Sequence, residues 1–258
     1  MPEHDIAALE SYQLIPRVLH DVHEVSCRTE LLGTQLAAPI LPLVEANPSA
    51  LETLSLVGAE ALLEQPDAFP FDQAVALLKT AKMGELMPKV RKLAARNVPA
   101  IALDFTVLSD TPPFGSNSWR PKTREDLAEL GAAAGCPVWL YGVSSPADAE
   151  VAAEAGLEAL VVHAGAGYYL GSPATIEIFP EVLDAVAGMI SVYAGGPVRS
   201  GIDVFRYLAV GAEAVVADSD RSLTNLQAEL IYAMRLTGCE TLVDISYEAI
   251  FAPLFGEI

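Results

Sequence analysis

Three side chains with complementary proton chemistry stand at or near the ends of three apolar runs. Asp104 falls in the run Ala100–Phe105, Tyr141 in Val138–Val143, and His163 directly follows Ala159–Val162. A neutral imidazole beside a carboxylate and a phenol is a working acid/base set near neutral pH, and it needs no redox cofactor. The other three histidines lie within the first 23 residues, so His163 is the one imidazole of the later chain. The plainer reading of each is a hydrogen-bonded residue at a strand end, which satisfies burial without chemistry. Glu45, Glu64, Asp218 and Asp220 also follow apolar runs. With Asp104 they would form an acidic ring, but their spacing fits no metal motif and no metal is expected. Asp218 and Asp220 read better as an N-cap pair before a helix over 223–236. Tyr168 and Tyr169, in a glycine-rich stretch, can stack on or donate to an aromatic ligand.

The elements that must position these groups follow from hydrophobic patterning. Strand-like runs occur at Ile40–Val44, Ala61–Leu63, Ala100–Phe105, Val138–Val143, Ala159–Val162, Ile190–Tyr193 and Ala214–Ala217. A weaker one lies near Ala74–Leu78. Amphipathic segments alternate with them: Met83–Arg96, Thr123–Ala134, Pro146–Ala155, Pro173–Val186, Ile202–Val210 and Leu223–Leu236. Continuous rather than alternating hydrophobicity suits strands buried on both faces, as in parallel sheets. Seven or eight strand–helix units in a chain of this length predict a (β/α)8 barrel, with active-site groups at the C-terminal ends of the strands. A doubly wound open sheet is the competing fold, but no G-x-G-x-x-G follows the first strand. Ser109–Pro121 is rich in Pro, Gly, Ser and Asn and carries Phe114 and Trp119, so it is expected to be a loop over the barrel mouth.

Composition removes whole classes of function. Of the 258 residues 52% are hydrophobic and 19% charged, which rules out disorder. Basic residues number 15 against 34 acidic, and a formal charge of −19 is the wrong sign for nucleic acid or an anionic membrane. Cys27, Cys136 and Cys239 form no metal or redox spacing and read as free thiols. No apolar run reaches the roughly 20 residues of a membrane span, and no secretory leader is visible, so a cytoplasmic protein acting on a small molecule is expected.

Several segments resemble the FMN-dependent α-hydroxy-acid oxidase and dehydrogenase family, which includes glycolate oxidase, lactate oxidase and mandelate dehydrogenase. LIPRVLHDVHEVSCRTELLGTQLAAPIL is similar to that family's lead-in to the first barrel strand. PVWLYGVSSPADAEVAAEAGLEALVV, GSPATIEIFPEVLDAV, GGPVRSGIDVFRYLAVGAEAVV and LIYAMRLTGCETLVDI follow in the family's order. The resemblance implies a TIM barrel of the FMN-linked type over residues 40–258, capped by a lead-in segment over 1–39. It also implies a homo-oligomer.

At the positions the resemblance assigns to function, the residues depart from the family. Tyr141 stands where the family has the lysine beside the flavin, and a phenol supplies no cation there. Ala164 and Gly167 stand where it has the proton-abstracting histidine and the carboxylate-binding arginine, and His163 lies one place early. In an extended segment one place reverses the side-chain direction. Asp104 replaces a threonine. The glycine-rich phosphate loop survives as Gly195, Gly196 and Arg199 with one extra residue, whereas the second phosphate anchor reads Asp218-Ser219-Asp220. Gly195, Gly196 and Arg199 are therefore the residues left to hold a cofactor phosphate; no cofactor is expected, or FMN if the family's site survives. The reading is a barrel that has lost α-hydroxy-acid oxidation and performs non-redox chemistry of isomerase, cyclase or lyase type through His163, Tyr141 and Asp104. One alternative is an FMN-dependent oxidoreductase acting on a 2-hydroxy acid. Another is a non-catalytic subunit or regulator.

Overall fold

The computed structural model describes residues 2–44, 47, 51, 53–106, 121–165 and 171–253. Eight parallel strands close into a barrel: β4 (Ile40–Val44), β5 (Ser55–Gly58), β6 (Ala74–Lys79), β7 (Ile101–Asp104), β8 (Val138–Val143), β9 (Ala159–Val162), β10 (Ser191–Pro197) and β11 (Val215–Asp218). Each strand pairs with the next in the chain, and β11 returns to β4 with Val215 opposite Ile40. Helices follow the last seven strands: α2 (Ala59–Glu64), α3 (Met83–Ala94), α4 (Arg124–Ala134), α5 (Pro146–Glu154), α6 (Thr175–Val186), α7 (Gly201–Ala209) and α8 (Leu223–Thr237). The (β/α)8 expectation holds.

Two apolar layers account for the closure. Leu41, Leu56, Val75, Ala102, Trp139, Val161, Tyr193 and Val216 belong to one buried cluster inside the barrel. The alternate residues Ile101, Leu103, Leu140, Leu160 and Val162 join Leu93, Phe179, Phe205 and Leu230 of the surrounding helices in the other. Every residue of β7, β8 and β9 is buried, which is why these strands read as unbroken apolar runs. Inside, Trp139 and Tyr193 fill the barrel with ring centroids 5.0 Å apart.

The two ends are closed differently. A hairpin of β2 (Thr29–Leu31) and β3 (Thr34–Leu36) turns through Leu32 and Gly33, both at positive φ, and sets Leu31, Leu32 and Leu36 against the inner cluster. Both strands of this hairpin fall within residues 1–39. Near the opposite end lies α1 (Pro2–Ser11), a helix that patterning does not reveal. Its Asp5 is buried, and the carboxylate accepts hydrogen bonds from the backbone N–H (2.7 Å) and hydroxyl (3.1 Å) of Thr175 at the start of α6. The Thr175 hydroxyl accepts in turn from the Ala164 N–H at 3.0 Å. Asp5 thus ties α1 to the turn that begins at His163. Asp5→Ala strands two buried donors and is expected to cost about 2 kcal/mol in denaturant unfolding, with Asp5→Asn costing less. Equal stability of both variants and the parent would refute that role.

Two local assignments are corrected. Ala61–Leu63 lies in helix α2, and the second strand is Ser55–Gly58. A three-residue apolar run cannot be told from a helix turn by periodicity. Glu64 therefore ends a helix and does not follow a strand. Asp218 and Asp220 do not cap α8: Ser222 does, accepting from the Asn225 N–H. Ser109–Trp119, most of the proposed mouth loop, and Glu45, Tyr168 and Tyr169 lie outside the described residues.

Candidate functional site

Strand periodicity places the mouth residues before any distance is measured. On β7 the inward set Ala100 and Ala102 continues to Asp104. On β8 Trp139 leads to Tyr141, on β9 Val161 leads to His163, and on β10 Tyr193 leads to Gly195. Asp104 lies opposite Tyr141 in the strand register. The Tyr141 and His163 rings lie 5.4 Å apart between centroids. Gly195 completes the group: a Cβ there would stand 3.1 Å from His163 Cδ2 and 3.4 Å from Tyr141 Cε2. All three catalytic candidates therefore converge on one wall of the mouth. The same phase on β6 runs Val75, Leu77, Lys79, and Lys79 pairs in register with Asp104. The apolar run ends at Leu78, one residue short of the strand, so hydrophobic patterning misses this exposed cation on the rim.

The hydrogen bonds fix which ring nitrogen of His163 accepts. Its Nδ1 accepts the Gly165 N–H at 2.8 Å. Burial pushes the imidazole pKa down to about 4, with the Asp5 charge and a backbone hydrogen bond opposing that shift. At neutral pH the ring is uncharged with Nδ1 engaged, so the proton sits on Nε2. The ring hydrogen of His163 is thus held on the nitrogen away from Gly165.

Asp104 is buried, and its Oδ1 accepts from the Thr106 N–H (2.8 Å) and hydroxyl (2.6 Å). It fixes the chain as it leaves β7. Gly142, at φ +100, makes room for this turn, since a Cβ there would lie 3.0 Å from the Thr106 nitrogen. Tyr141 is buried within the inner cluster, next to a register shift between Tyr141 and Val143. A separate cavity of about 220 Å³ lies outside the barrel wall between β8 and helices α4 and α5, with Lys122 and Asp148 on an otherwise mainly apolar lining. Burial lowers the Lys122 pKa.

The residues assigned to a phosphate sit at the ends of β10 and β11. Gly196 has φ +130 and faces outward, where a Cβ would meet Tyr207 Oη at 3.4 Å and Asp5 Oδ2 at 3.5 Å. Arg199 lines an open depression with Arg221, Asp218, Ser219 and Asp220. Its Nη1 is bonded to Glu10 of α1 at 2.9 Å, and its Nε lies 3.7 Å from the Asp203 carboxylate. Arg221, a cation outside the family's phosphate motifs, is paired with Glu229. Two guanidiniums thus face two aspartates in the depression and are each engaged by a glutamate. A phosphate dianion there would meet a surplus of negative charge, and Tyr141 offers none where the ring of a flavin would need a cation. These residues do not fit the FMN that the resemblance implies. Among the described residues no cluster of His, Cys, Asp and Glu could hold a metal ion. Nor is any described helix long and apolar enough to cross a membrane.

Comparison with known proteins places this barrel in a lineage. A profile of the FMN-dependent dehydrogenase family matches residues 79–218. An L-lactate oxidase from Roseobacter sp. (strain GAI101) is 38% identical over 139 residues, which is 48% of this chain and 38% of that protein. Human 2-hydroxyacid oxidase 1 is 25% identical over 316 aligned positions, covering 92% of this chain and 85% of its own length. That alignment is longer than the chain, so the human protein carries stretches with no counterpart here. Among solved structures, a mandelate oxidase variant with 2-hydroxy-phenylacetamide superposes with a TM-score of 0.77 at 24% identity, covering 99% of this chain and 90% of that one. Another, carrying a monooxide FMN adduct, gives 0.70 at 24% identity over 98% of this chain and 93% of that one. The structural likeness carries the fold; the profile covers more than half the sequence, and on that ground the chain belongs to the FMN-dependent dehydrogenase family.

Proposed function

We propose that this family barrel acts on a small carbonyl or hydroxy compound by polarisation and proton transfer rather than by oxidation. The observation that carries the reading is the Gly165 N–H bound to His163 Nδ1, which fixes a neutral imidazole with Nε2–H as its donor. Such a donor stabilises charge developing on a substrate oxygen without first losing a proton. Tyr141, in ring contact with His163, supplies a hydroxyl to the same wall, and Asp104 is the carboxylate beside it for a carbon-bound proton. Lys79, next to Asp104 on the rim, would draw an anionic substrate towards that wall. Enolisation-type isomerisation or elimination is the chemistry such a set performs.

A second reading, oxidation of a 2-hydroxy acid with bound FMN, has its own support. The family profile and the lactate and 2-hydroxyacid oxidase relatives favour it, and nothing in those comparisons speaks for a loss of oxidation. One experiment separates the two. The protein, supplied with FMN, is incubated in D2O with small 2-hydroxy and 2-oxo acids, and α-proton exchange and substrate oxidation are followed together. Exchange without oxidation, lost in His163→Ala, is expected. Oxidation of glycolate, lactate or mandelate would establish the second reading.

A further inference from the structure

A buried carboxylate can do more than hold two helices together. Asp5 and Thr175 are both out of water, and neither sits on a barrel strand. Their hydrogen bonds run in one direction. The Thr175 hydroxyl gives its proton to Asp5 and so keeps a lone pair for the Ala164 N–H. The next amide along, the Gly165 N–H, is the one that reaches His163 Nδ1. Two successive backbone N–H groups are thus engaged, one by Thr175 and the other by the imidazole. The assembly has little slack on either side. A Cβ at Gly165 would lie 2.7 Å from the His163 ring, and one at Gly196 would lie 3.5 Å from Asp5 Oδ2 and 3.6 Å from Thr175 Oγ1. Asp5 is also near enough for its charge to act on the imidazole.

We infer that Asp5 and Thr175 are positioning residues for the mouth, aiming the His163 imidazole through the Ala164–Gly165 backbone; this rests on the reading of that imidazole as the donor to substrate. Without Thr175 the turn could swing the Gly165 N–H off Nδ1, and nothing would then fix which ring nitrogen carries the proton. Misplacing a reacting group by about 1 Å can cost roughly a hundredfold in rate, so a fixed turn has a use beyond stability. Helix α1 is built to hold Asp5 still. Leu9 and Tyr12 are buried, the Tyr12 carbonyl accepts from Arg206 Nε at 2.7 Å, and Glu10 is paired with Arg199. The chain then enters β1 (Gln13–Leu14), which pairs antiparallel with β12 (Ile250–Phe251). Residue type matters at both places. A carboxylate accepts from the Thr175 N–H and hydroxyl together, and a hydroxyl at 175 donates and accepts at once.

Thr175→Val exchanges the hydroxyl for a methyl, and Thr175→Ser keeps it. Imidazole nitrogen shifts and backbone amide exchange are read by NMR at neutral pH, and carbon-bound proton exchange of lactate and pyruvate is followed in D2O. The parent should show one His163 tautomer, with the proton on Nε2. Thr175→Val should show a mixture, with the Ala164 amide exchanging at least roughly tenfold faster. Its kcat for proton exchange should fall roughly tenfold to a hundredfold, with KM within about twofold. Thr175→Ser should restore the parent's behaviour in each measurement. Asp5→Asn, whose amide donates to the hydroxyl where the carboxylate accepted, should move the same signals part of the way, and it serves if Thr175→Val does not fold. His163 and Ala164 signals unchanged in Thr175→Val and Asp5→Asn, or disturbed as much by Thr175→Ser, would overturn the inference. If the parent exchanges neither substrate, the functional reading fails instead, and the NMR signals alone decide this one.

Discussion

His163→Asn is expected to remove about 3 kcal/mol of the protein's sensitivity to acid. Asparagine keeps an acceptor for the Gly165 N–H but does not titrate. In the folded parent the imidazole pKa is held down to about 4, while in the unfolded chain it returns to its ordinary value of 6.5. Between those values the unfolded state binds the extra proton, so stability rises with pH through the window. The sign is therefore fixed: the contribution is complete above pH 6.5 and is lost as pH falls towards 4. At about 1.4 kcal/mol per unit the full loss is roughly 3 kcal/mol or slightly more. Urea unfolding of both proteins across that window gives the difference directly. Parallel pH profiles would show that His163 is not held neutral by the fold, and the donor role would fall with it.

Gly201→Ala is expected to destabilise the barrel by at least about 3 kcal/mol, enough to leave little folded protein in a marginal domain. Gly201 opens α7 where that helix crosses α8. A Cβ there would overlap the Leu226 carbonyl oxygen and the Leu230 nitrogen. Both are backbone atoms of a helix, so no side chain can swing aside, and the helices must separate. The Gly201 N–H also donates to Glu229 at 2.8 Å, a bond that the separation would strain. Gly84 is the control, because a methyl added there would have nothing within 4 Å, and Gly84→Ala should be neutral or mildly stabilising. Thermal melts of the two variants should differ sharply, and similar melts would refute the close helix crossing.

Much of this architecture is legible in the sequence because the same physical signal repeats along the chain. Runs such as Val138–Val143 and Ala159–Val162 are apolar on both faces, and only a buried parallel strand needs that pattern. The placement of Asp104, Tyr141 and His163 at one mouth follows from barrel topology. What escapes is non-local or marginal. Asp5 meets Thr175 across 170 positions, and no periodicity announces such a contact. The strand Ser55–Gly58 is hidden because Ala61–Leu63, three residues further on, is equally apolar but helical. Lys79 is hidden because its strand runs one residue past the apolar stretch. The chemistry of His163 is obscured for a more basic reason. Residue type says that an imidazole can accept a proton, but only the Gly165 N–H on Nδ1 says which nitrogen is spent. Family resemblance is right about the barrel, while the charge pairing at Arg199 and Arg221 has to be seen in place.

The flavin question decides most between the two functional readings. Protein is equilibrated with excess FMN, dialysed to completion, and its visible absorption and flavin fluorescence are compared with those of Tyr141→Lys combined with Asp218→Gly and Ser219→Arg. With Tyr141 at the ring position and Asp218 and Asp220 beside Arg199, the parent should come out colourless, and the triple variant should retain more flavin. A parent that keeps a near-stoichiometric flavin band after dialysis would contradict the non-oxidative reading and place the chain with its oxidase relatives in chemistry as well as in fold.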